Sequence, residues 1–144
     1  MSDPKTRPIV SLVRRESFSA AHRLWSDALS EAENHRLYGP CARPHGHGHN
    51  FDLEVALKGP IDPVTGVIVN LADLRDVIRR RIIDLVDQRH LNYDCALTAD
   101  INPTVENLVV RFWDTLAEVY GDLLHEIRLR ETASNWTVYR GERG

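Results

Sequence analysis

Residues 41–51 read Cys41-Ala-Arg-Pro-His45-Gly-His47-Gly-His49-Asn-Phe51, and this stretch holds three of the seven histidines of the chain. The three histidines occupy alternate positions, so in an extended strand their side chains point to one face. Neutral imidazole is the commonest metal ligand in proteins. Two of these histidines and a third from elsewhere would form the ligand set of a catalytic zinc with an open fourth position. The alternative is a histidine-rich surface turn.

The residues after the histidines predict a half-buried strand. From Phe51 onward, apolar residues stand at every second position. By parity, His47 and His49 lie on the same face of this strand as the apolar residues, provided that no bulge intervenes. A turn over residues 59–66 and a short strand at residues 67–69 then predict an antiparallel hairpin.

The composition is that of a single globular domain. The chain has 144 residues, of which 42% are hydrophobic and 27% are charged, which suits one domain over residues 1–144 with a flexible leader at residues 1–8. Its net charge of −3 gives no broad basic surface. No apolar run is long enough to span a bilayer, no signal peptide is found, and the two cysteines form no disulfide framework. We therefore expect a cytoplasmic protein that binds neither nucleic acid nor membranes.

Residues 9–18 predict the first strand, because β-branched and apolar residues dominate this segment. The strand runs into small residues, and His22 stands where it ends. Taken alone, His22 fits a satisfied structural histidine. The next segment, residues 25–44, is a long excursion, and because it leads directly into the Cys/His cluster we expect it to serve function.

Two amphipathic helices are predicted. The first begins after an N-cap at Asn70, with Asp73 in its first turn, and ends near residues 87–92. Its predicted core stripe is Leu71, Leu74, Ile78, Ile82 and Leu85. The second begins at Thr104 after Pro103, and its predicted stripe is Val105, Leu108, Val109, Phe112, Leu116 and Val119.

A second pair of strands is predicted at residues 125–131 and 136–139. By parity, Glu131 shares the face of Ile127 and Leu129. An ionised carboxylate on that apolar face is costly unless it is paired or hydrogen-bonded. The alternative is that the strand has already ended and Glu131 is exposed.

The predicted order of elements, β-β-β-α-α-β-β, indicates the α+β class, an antiparallel β-sheet with two helices packed on one face. The strand pair that starts at His49 and the pair that ends at Tyr139 would leave sheet edges open. Such edges invite pairing with another subunit.

Several motifs together resemble the 6-pyruvoyltetrahydropterin synthase family and its bacterial relative, 6-carboxytetrahydropterin synthase, and the resemblance runs from about Val10 to Glu142. The motifs are Phe18-Ser-Ala-Ala-His22-Arg-Leu24, Cys41 with His47-Gly-His49-Asn-Phe51, Ile61-Asp-Pro-Val-Thr-Gly66, Asn70-Leu-Ala-Asp-Leu74, Asn102-Pro-Thr-Val-Glu106-Asn107, Glu131-Thr132 and Tyr139-Arg-Gly141. This resemblance implies the tunnelling fold, in which trimers join their sheets into a barrel. Two trimers then stack into a homohexamer with active sites between subunits.

The resemblance also implies a metal and a catalytic cysteine that moves a proton at a substrate carbon. The Zn²⁺ ligands of the family map to His22, His47 and His49, and its catalytic cysteine maps to Cys41. His45 has no ligand role in this mapping, because the segment that begins at His47 fixes the register.

The resemblance further implies a lyase with a small-molecule pterin substrate, 7,8-dihydroneopterin triphosphate. Internal redox rearrangement and loss of triphosphate would give 6-pyruvoyl-tetrahydropterin. The pterin-anchoring glutamate of the family maps to Glu131, and Thr104 and Glu106 lie near the same pocket by analogy.

One position departs from the family pattern. The family usually carries an Asp-His pair at the end of the first long helix, which serves with the cysteine as a proton relay. Here Asp87 is followed by Gln88, whose amide cannot shuttle a proton near neutral pH. The enzyme could be slow, could rely on Cys41 alone, or could recruit His90, which would share a face with Asp87 if the helix persisted. The alternative for His90 is a structural role.

The product and the class of activity also stay open. The five residues between Cys41 and His47 favour the pyruvoyl-forming branch, whereas a bacterial source would favour the carboxy product, a precursor in the queuosine pathway. Gln88 motivates a pterin-binding paralogue with weak or no turnover. A generic zinc hydrolase could use the three histidines, but it leaves Cys41 and Glu131 unexplained.

Overall fold

The computed structural model describes residues 6–144, so most of the leader predicted at residues 1–8 lies outside the described residues. Residues 6–144 form five strands: β1 (Ile9–His22), β2 (His47–Pro60), β3 (Arg89–His90), β4 (Leu124–Thr132) and β5 (Asn135–Tyr139). The helices are α1 (Glu31–Tyr38), α2 (Leu71–Ile78), α3 (Asp84–Val86) and α4 (Val105–Tyr120), and a π turn (Arg79–Ile83) joins α2 to α3. These elements confirm the α+β class.

The strands form one sheet in the order β3-β1-β2-β4-β5. β1 and β2 pair antiparallel in a long ribbon that runs from Ile9 opposite Pro60 to His22 opposite His47. β4 pairs antiparallel with β2 and with β5, whereas the two residues of β3 pair parallel with β1. The predicted antiparallel sheet is therefore confirmed, with one short parallel addition at its edge.

The predicted hairpin between β2 and residues 67–69 is wrong, because in the described chain those three residues belong to no strand. Asp62 folds this loop back on itself: its carboxylate accepts the N–H groups of Val64 and Thr65, and its own N–H bonds the carbonyl of Val67. β2 is instead a central strand between β1 and β4. The edges of the sheet are therefore β5 on one side and, on the other, β3 together with the part of β1 that β3 does not cover.

The hydrophobic core lies on one face of the sheet, beneath α2 and α4. Its fully buried members include Phe51, Leu53, Val55, Leu57, Leu74, Ile78, Leu108, Phe112 and Leu116. Three predicted stripe residues lie outside it: Leu71, Leu85 and Val119 are 58%, 43% and 40% exposed. Ile82 is buried as predicted. The π turn adds a residue to one turn and rotates the helical residues after it, so that Ile83 and Val86 are buried in place of Leu85.

Both long helices begin where the sequence predicts. The Asn70 side chain accepts the N–H groups of Ala72 and Asp73 at the start of α2, and the Thr104 hydroxyl accepts that of Asn107 at the start of α4. Each cap satisfies backbone donors that the first helical turn leaves unpaired. Among residues 6–144, no helix is long and apolar enough to cross a membrane.

Candidate metal centre and active site

His22 is the last residue of β1, and its side chain is fully buried. Its Nδ1 lies 2.8 Å from the carbonyl oxygen of Pro103. Because a carbonyl only accepts, Nδ1 carries the ring proton and Nε2 carries the free lone pair. Within the described chain this Nε2 is buried without a hydrogen-bond partner. A histidine held by a carbonyl through one nitrogen, with the other nitrogen unsatisfied, fits a metal ligand.

The predicted strand face of His49 is confirmed. Its ring lies on the side of Phe51, 5.7 Å away between centroids, and 5.0 Å from the ring of His22 on the neighbouring strand. Just before β2, Gly46 lets the chain pass close to the backbone of His22, because it has a φ of +76° and a Cβ there would overlap the carbonyl of His22. His47, the first residue of β2, is exposed, with its ring 4.9 Å from that of His49.

Cys41 sits in a 3₁₀ turn (Gly39–Ala42) at the end of the long loop, with its Sγ 3.8 Å from Nε2 of His49. Two contacts tie this turn to the end of β1: the N–H of Leu24 bonds the carbonyl of Cys41, and Nε of Arg23 bonds that of Ala42. The first half of the loop is held by Asn34, which is fully buried. The loop therefore holds the thiol in place beside the histidines.

Four hydrogen bonds account for the burial of Asn34. Its Oδ1 accepts the N–H of Ser26, and its Nδ2 donates to the carbonyls of Ser26, Leu29 and Ser30. A buried amide with these partners cross-links both ends of the first half of the loop.

Glu131 lies near the end of β4, on the apolar side of its strand as parity predicts, and the alternative of an exposed position after the strand is wrong. Its Oε1 is 3.0 Å from Nε2 of His49 and 3.7 Å from Nε2 of His22. When Nε2 of His49 carries the ring proton, it donates to this carboxylate and gives the charge a hydrogen-bond partner on a face where an unpaired charge would be costly.

Four side chains from four separate elements converge here. The ligand atoms of His22, Cys41, His49 and Glu131 all lie within 4.8 Å of one another, which makes the cluster able to hold a metal ion. His47 lies beside this group but does not belong to it. Imidazole, thiolate and carboxylate are the donors that Zn²⁺ takes in proteins.

The electrostatics of the cluster depend mainly on burial. Burial lowers the pKa of His22, and burial likewise lowers the pKa of His49, against the opposing pull of Glu131. Both rings are therefore neutral near pH 7, the form that binds a metal. Burial, with a smaller contribution from Glu131, raises the pKa of the Cys41 thiol, so without a nearby cation the sulfur keeps its proton.

Asp87 and Gln88 dock the end of the helix onto β1. Oδ1 of Asp87 accepts the N–H of Ser19 at 2.9 Å, and the N–H of Gln88 donates to the carbonyl of Ser19 at 2.7 Å. Gln88 adopts a positive φ of 61° and its side chain is exposed. Because α3 ends at Val86, the helical spacing between Asp87 and His90 does not apply.

His90 lies in β3, opposite Ala21 of β1. Its ring lies 4.4 Å from that of Tyr93, and its Nδ1 accepts the N–H of Asn92 at 3.3 Å. In the part of the chain that is described, Nε2 of His90 is buried without a hydrogen-bond partner. The ring therefore carries no proton on Nδ1 and, in its neutral form, carries its proton on Nε2.

A cavity of about 480 Å³ lies beside the cluster. Its walls are Ser19, Ala20, Ala21, Gly48, His49, Asn50, Gln88, Arg89 and His90. The structure thus brings His90 and His49 to one open space. Thr104 caps α4 directly after the carbonyl that holds His22, whereas Glu106 is exposed in the first turn of that helix and lies outside the cluster.

Two supporting residues escape sequence reasoning. The carbonyl of Pro103 orients His22, and the amide of Asn92 bonds both the N–H and the carbonyl of Arg23, just after the histidine. A backbone carbonyl leaves no trace in residue type, and a lone asparagine in a loop has no distinctive pattern. The only sequence signal near the carbonyl that orients His22 is the motif Asn-Pro-Thr at residues 102–104.

The sequence and the fold match a known family. The family model described as 6-pyruvoyl tetrahydropterin synthase matches residues 11–142, and the chain belongs to that family, as its motifs predict. The 6-pyruvoyl tetrahydrobiopterin synthase of Poecilia reticulata is 45% identical over 97% of this chain and 96% of its own length. The human protein of the same name is 44% identical over 90% of each chain.

A solved structure agrees with these relatives. The 6-pyruvoyl tetrahydropterin synthase of Caenorhabditis elegans superposes with a TM-score of 0.87 at 37% identity, over 94% of this chain and 98% of that one. A protein from Archaeoglobus fulgidus is a more distant relative, 28% identical over 86% of this chain and 90% of its own length. It carries the provisional name 6-carboxy-5,6,7,8-tetrahydropterin synthase.

Proposed function

We propose that this chain is a zinc-dependent lyase that converts 7,8-dihydroneopterin triphosphate into 6-pyruvoyl-tetrahydropterin with loss of triphosphate. The observation that carries the proposal is the convergence of His22, His49, Cys41 and Glu131 beside an open cavity. It is supported by full-length relatives named as 6-pyruvoyl tetrahydrobiopterin synthases.

The metal site is the first element of the proposal. His22, His47 and His49 would hold Zn²⁺, which when bound polarises the oxygen of a coordinated substrate hydroxyl. The low pKa values of His22 and His49 keep the rings available as neutral ligands. The carbonyl of Pro103 keeps the free nitrogen of His22 directed into the cluster.

Cys41 and Glu131 would act on the substrate itself. The sulfur of Cys41, held at the cluster by its 3₁₀ turn, would take a proton from a substrate carbon and return one to it. The carboxylate of Glu131 would accept two parallel N–H bonds from the amino-pyrimidinone edge of the pterin. Thr104 and Glu106 complete the substrate pocket in this proposal.

His90 would act as a second proton carrier in the same scheme, and Asp87, the acidic member of the family's relay pair, would support it from its place beside β1. The buried, unpartnered Nε2 of His90 and its position on the cavity wall support this role, since Gln88 offers only an amide. His90→Ala should then abolish turnover while zinc stays bound, and Gln88→His in that variant should restore it. Full activity in His90→Ala would instead leave His90 with a structural role.

We further propose that the chain assembles into a homohexamer, a dimer of trimers with active sites between subunits. We also propose that this assembly is cytoplasmic. The outer edge of β1 pairs with β3 at only two residues, and β5 forms the other edge. Exposed apolar side chains near the first edge, Ile9 and Val13, suit burial by another subunit. Analytical ultracentrifugation would test the assembly.

Two alternative functions have specific support. The carboxy product of the queuosine pathway is favoured by the relative from Archaeoglobus fulgidus, which shares the match over most of the chain at lower identity. A pterin-binding paralogue with weak or no turnover is favoured by Gln88, which lines the cavity where a relay histidine is expected.

The deciding experiment incubates zinc-loaded protein with 7,8-dihydroneopterin triphosphate and identifies the products by mass. A pyruvoyl product supports the proposal, a carboxy product selects the other branch, and intact substrate with bound zinc and pterin selects the paralogue. His22→Ala should lose both metal and activity, whereas His45→Ala, a matched control at an exposed position of the same stretch, should keep both.

A further inference from the structure

The chain that leaves His22 is held on both sides by hydrogen bonds to its backbone. On one side, the side-chain amide of Asn92 accepts the N–H of Arg23 and donates to the carbonyl of Arg23, both at 2.8 Å. On the other side, the N–H of Leu24 bonds the carbonyl of Cys41 at 2.8 Å. Residues 23 and 24 therefore lie between the amide of Asn92 and the turn that carries Cys41.

Asn92 extends the pairing of β3 with β1 past the end of both strands. Within the sheet these strands pair through residues 20–21 and 89–90, and the N–H of Leu91 then bonds the carbonyl of Ala21 at 2.8 Å. A side-chain amide offers the donor and the acceptor of a peptide group, so Asn92 supplies the next two bonds of the ladder. Alanine at this position would offer neither bond, and aspartate would offer no donor.

The segment that carries Asn92 is itself held firmly. Leu91 is fully buried, and its carbonyl accepts the hydroxyl of the buried Thr98 at 2.7 Å. The N–H of His90 donates to Oδ1 of Asp94 at 2.6 Å. Because a side chain on a rigid segment can position the groups that it bonds, Asn92 can resist displacement of residues 23 and 24.

We propose that Asn92 is a positioning residue of the lyase reaction, which fixes Cys41 beside the histidines through Arg23 and Leu24. This inference rests on the proposed function, because it concerns the placement of the sulfur that would act on substrate there. Asn92 is not among the described residues that form the cluster or line the cavity. Its effect on the reaction is therefore indirect.

Cys41 depends on Asn92 more than His22 does. His22 pairs with His47 of β2, and its ring is held by the carbonyl of Pro103. The turn of Cys41, in contrast, meets the end of β1 through the residues that Asn92 holds. Loss of the Asn92 amide should thus displace the sulfur more than the histidine. A displacement of about 1 Å costs on the order of 100-fold in rate.

The test compares Asn92→Ala with Thr98→Val in the zinc-loaded, full-length protein. Thr98→Val is the matched control, because it removes a buried hydrogen bond from the same segment and leaves the bonds to Arg23 in place. Asn92→Ala should lower kcat for 7,8-dihydroneopterin triphosphate by about 10–100-fold. KM should change little, since Glu131, the proposed anchor of the pterin, lies on β4. Thr98→Val should keep kcat. Asn92→Asp, which keeps the acceptor for the N–H of Arg23, serves if the alanine variant folds poorly.

A second readout does not depend on activity. Alkylation by iodoacetamide, followed by mass spectrometry of the peptides, measures the accessibility of Cys41 separately from that of Cys95 in the hydrophobic core. Asn92→Ala should speed the alkylation of Cys41 several-fold, because its turn is loosened, and Thr98→Val should leave the rate unchanged. Zinc affinity should change little in either variant, because the carbonyl of Pro103 still holds His22.

Three outcomes would overturn the proposal. They are a wild-type kcat or a wild-type alkylation rate of Cys41 in Asn92→Ala, an equal loss of kcat in Thr98→Val, and a loss of zinc affinity as large as the loss of kcat. Each is separable from failure of the proposed function. A wild-type protein that leaves dihydroneopterin triphosphate intact would remove the lyase activity, and the alkylation rates would still decide whether Asn92 holds the turn of Cys41.

Discussion

Replacing Gly46 by alanine should destabilise the protein strongly and weaken metal binding. Gly46 has a φ of +76°, and an added Cβ would overlap the carbonyl of His22. A residue with a Cβ in this conformation costs about 1–2 kcal/mol, and relieving the overlap adds about 1–3 kcal/mol. The free energy of unfolding should therefore fall by about 2–5 kcal/mol, and His22 should shift away from the cluster.

Gly66 provides a matched control, because it has the same φ of +76° but a Cβ there meets nothing within 4 Å. Gly66→Ala should cost only the backbone contribution, about 1–2 kcal/mol. The assay is urea unfolding of both variants at one protein concentration, with zinc affinity measured alongside. Equal losses of stability in the two variants, or unchanged zinc affinity in Gly46→Ala, would refute the reasoning.

Three other predictions concern hydrogen bonds and burial. Asp87→Ala should lower the free energy of unfolding by about 1 kcal/mol, because the N–H of Ser19 loses its acceptor, whereas Asp87→Asn keeps an acceptor and should be nearly neutral in thermal unfolding. Asn34→Ala should lower the free energy of unfolding by about 2–3 kcal/mol, because the amide makes four hydrogen bonds in the loop. It should also reduce turnover, because the loop that holds Cys41 would move. Unchanged turnover at a lower stability would show that the loop does not position Cys41 for catalysis. Metal-free protein should lose stability as pH falls below about 6.5, because burial lowers the pKa of His22 and of His49, so that the unfolded chain binds more protons there. Urea midpoints at pH 7.5 and 5.5 check this, and a higher midpoint at pH 5.5 would contradict it.

The site was predictable where it depends on strand parity. Alternation along a strand is fixed by backbone geometry, so it placed His49 on the apolar face of β2 and Glu131 on that of β4 before any pairing was known. The 3.0 Å contact between these two side chains confirms both placements. The helix caps at Asn70 and Thr104 were predictable for a similar reason, since capping depends only on a few neighbouring residues.

The features that were not predictable depend on distant parts of the chain or on backbone atoms. The choice of β1 and β4 as the neighbours of β2 is non-local, and the alternation in β2 is the same whichever strands flank it. The π turn over residues 79–83 has no distinctive residue pattern, yet it decides that Leu85 is exposed. The carbonyl that orients His22 belongs to Pro103, and every residue has a carbonyl.

The long ribbon of β1 and β2 also sets a distance within the subunit. Ile9 pairs with Pro60 at one end of the ribbon, and His22 pairs with His47 at the other. At about 3.3 Å per residue, the two ends are roughly 40 Å apart. A fluorophore attached at Ser11 would therefore lie far from a paramagnetic or coloured ion at the cluster and be quenched little by it. Such a label could report subunit association at the edge of β1 while metal and substrate are exchanged at the other end.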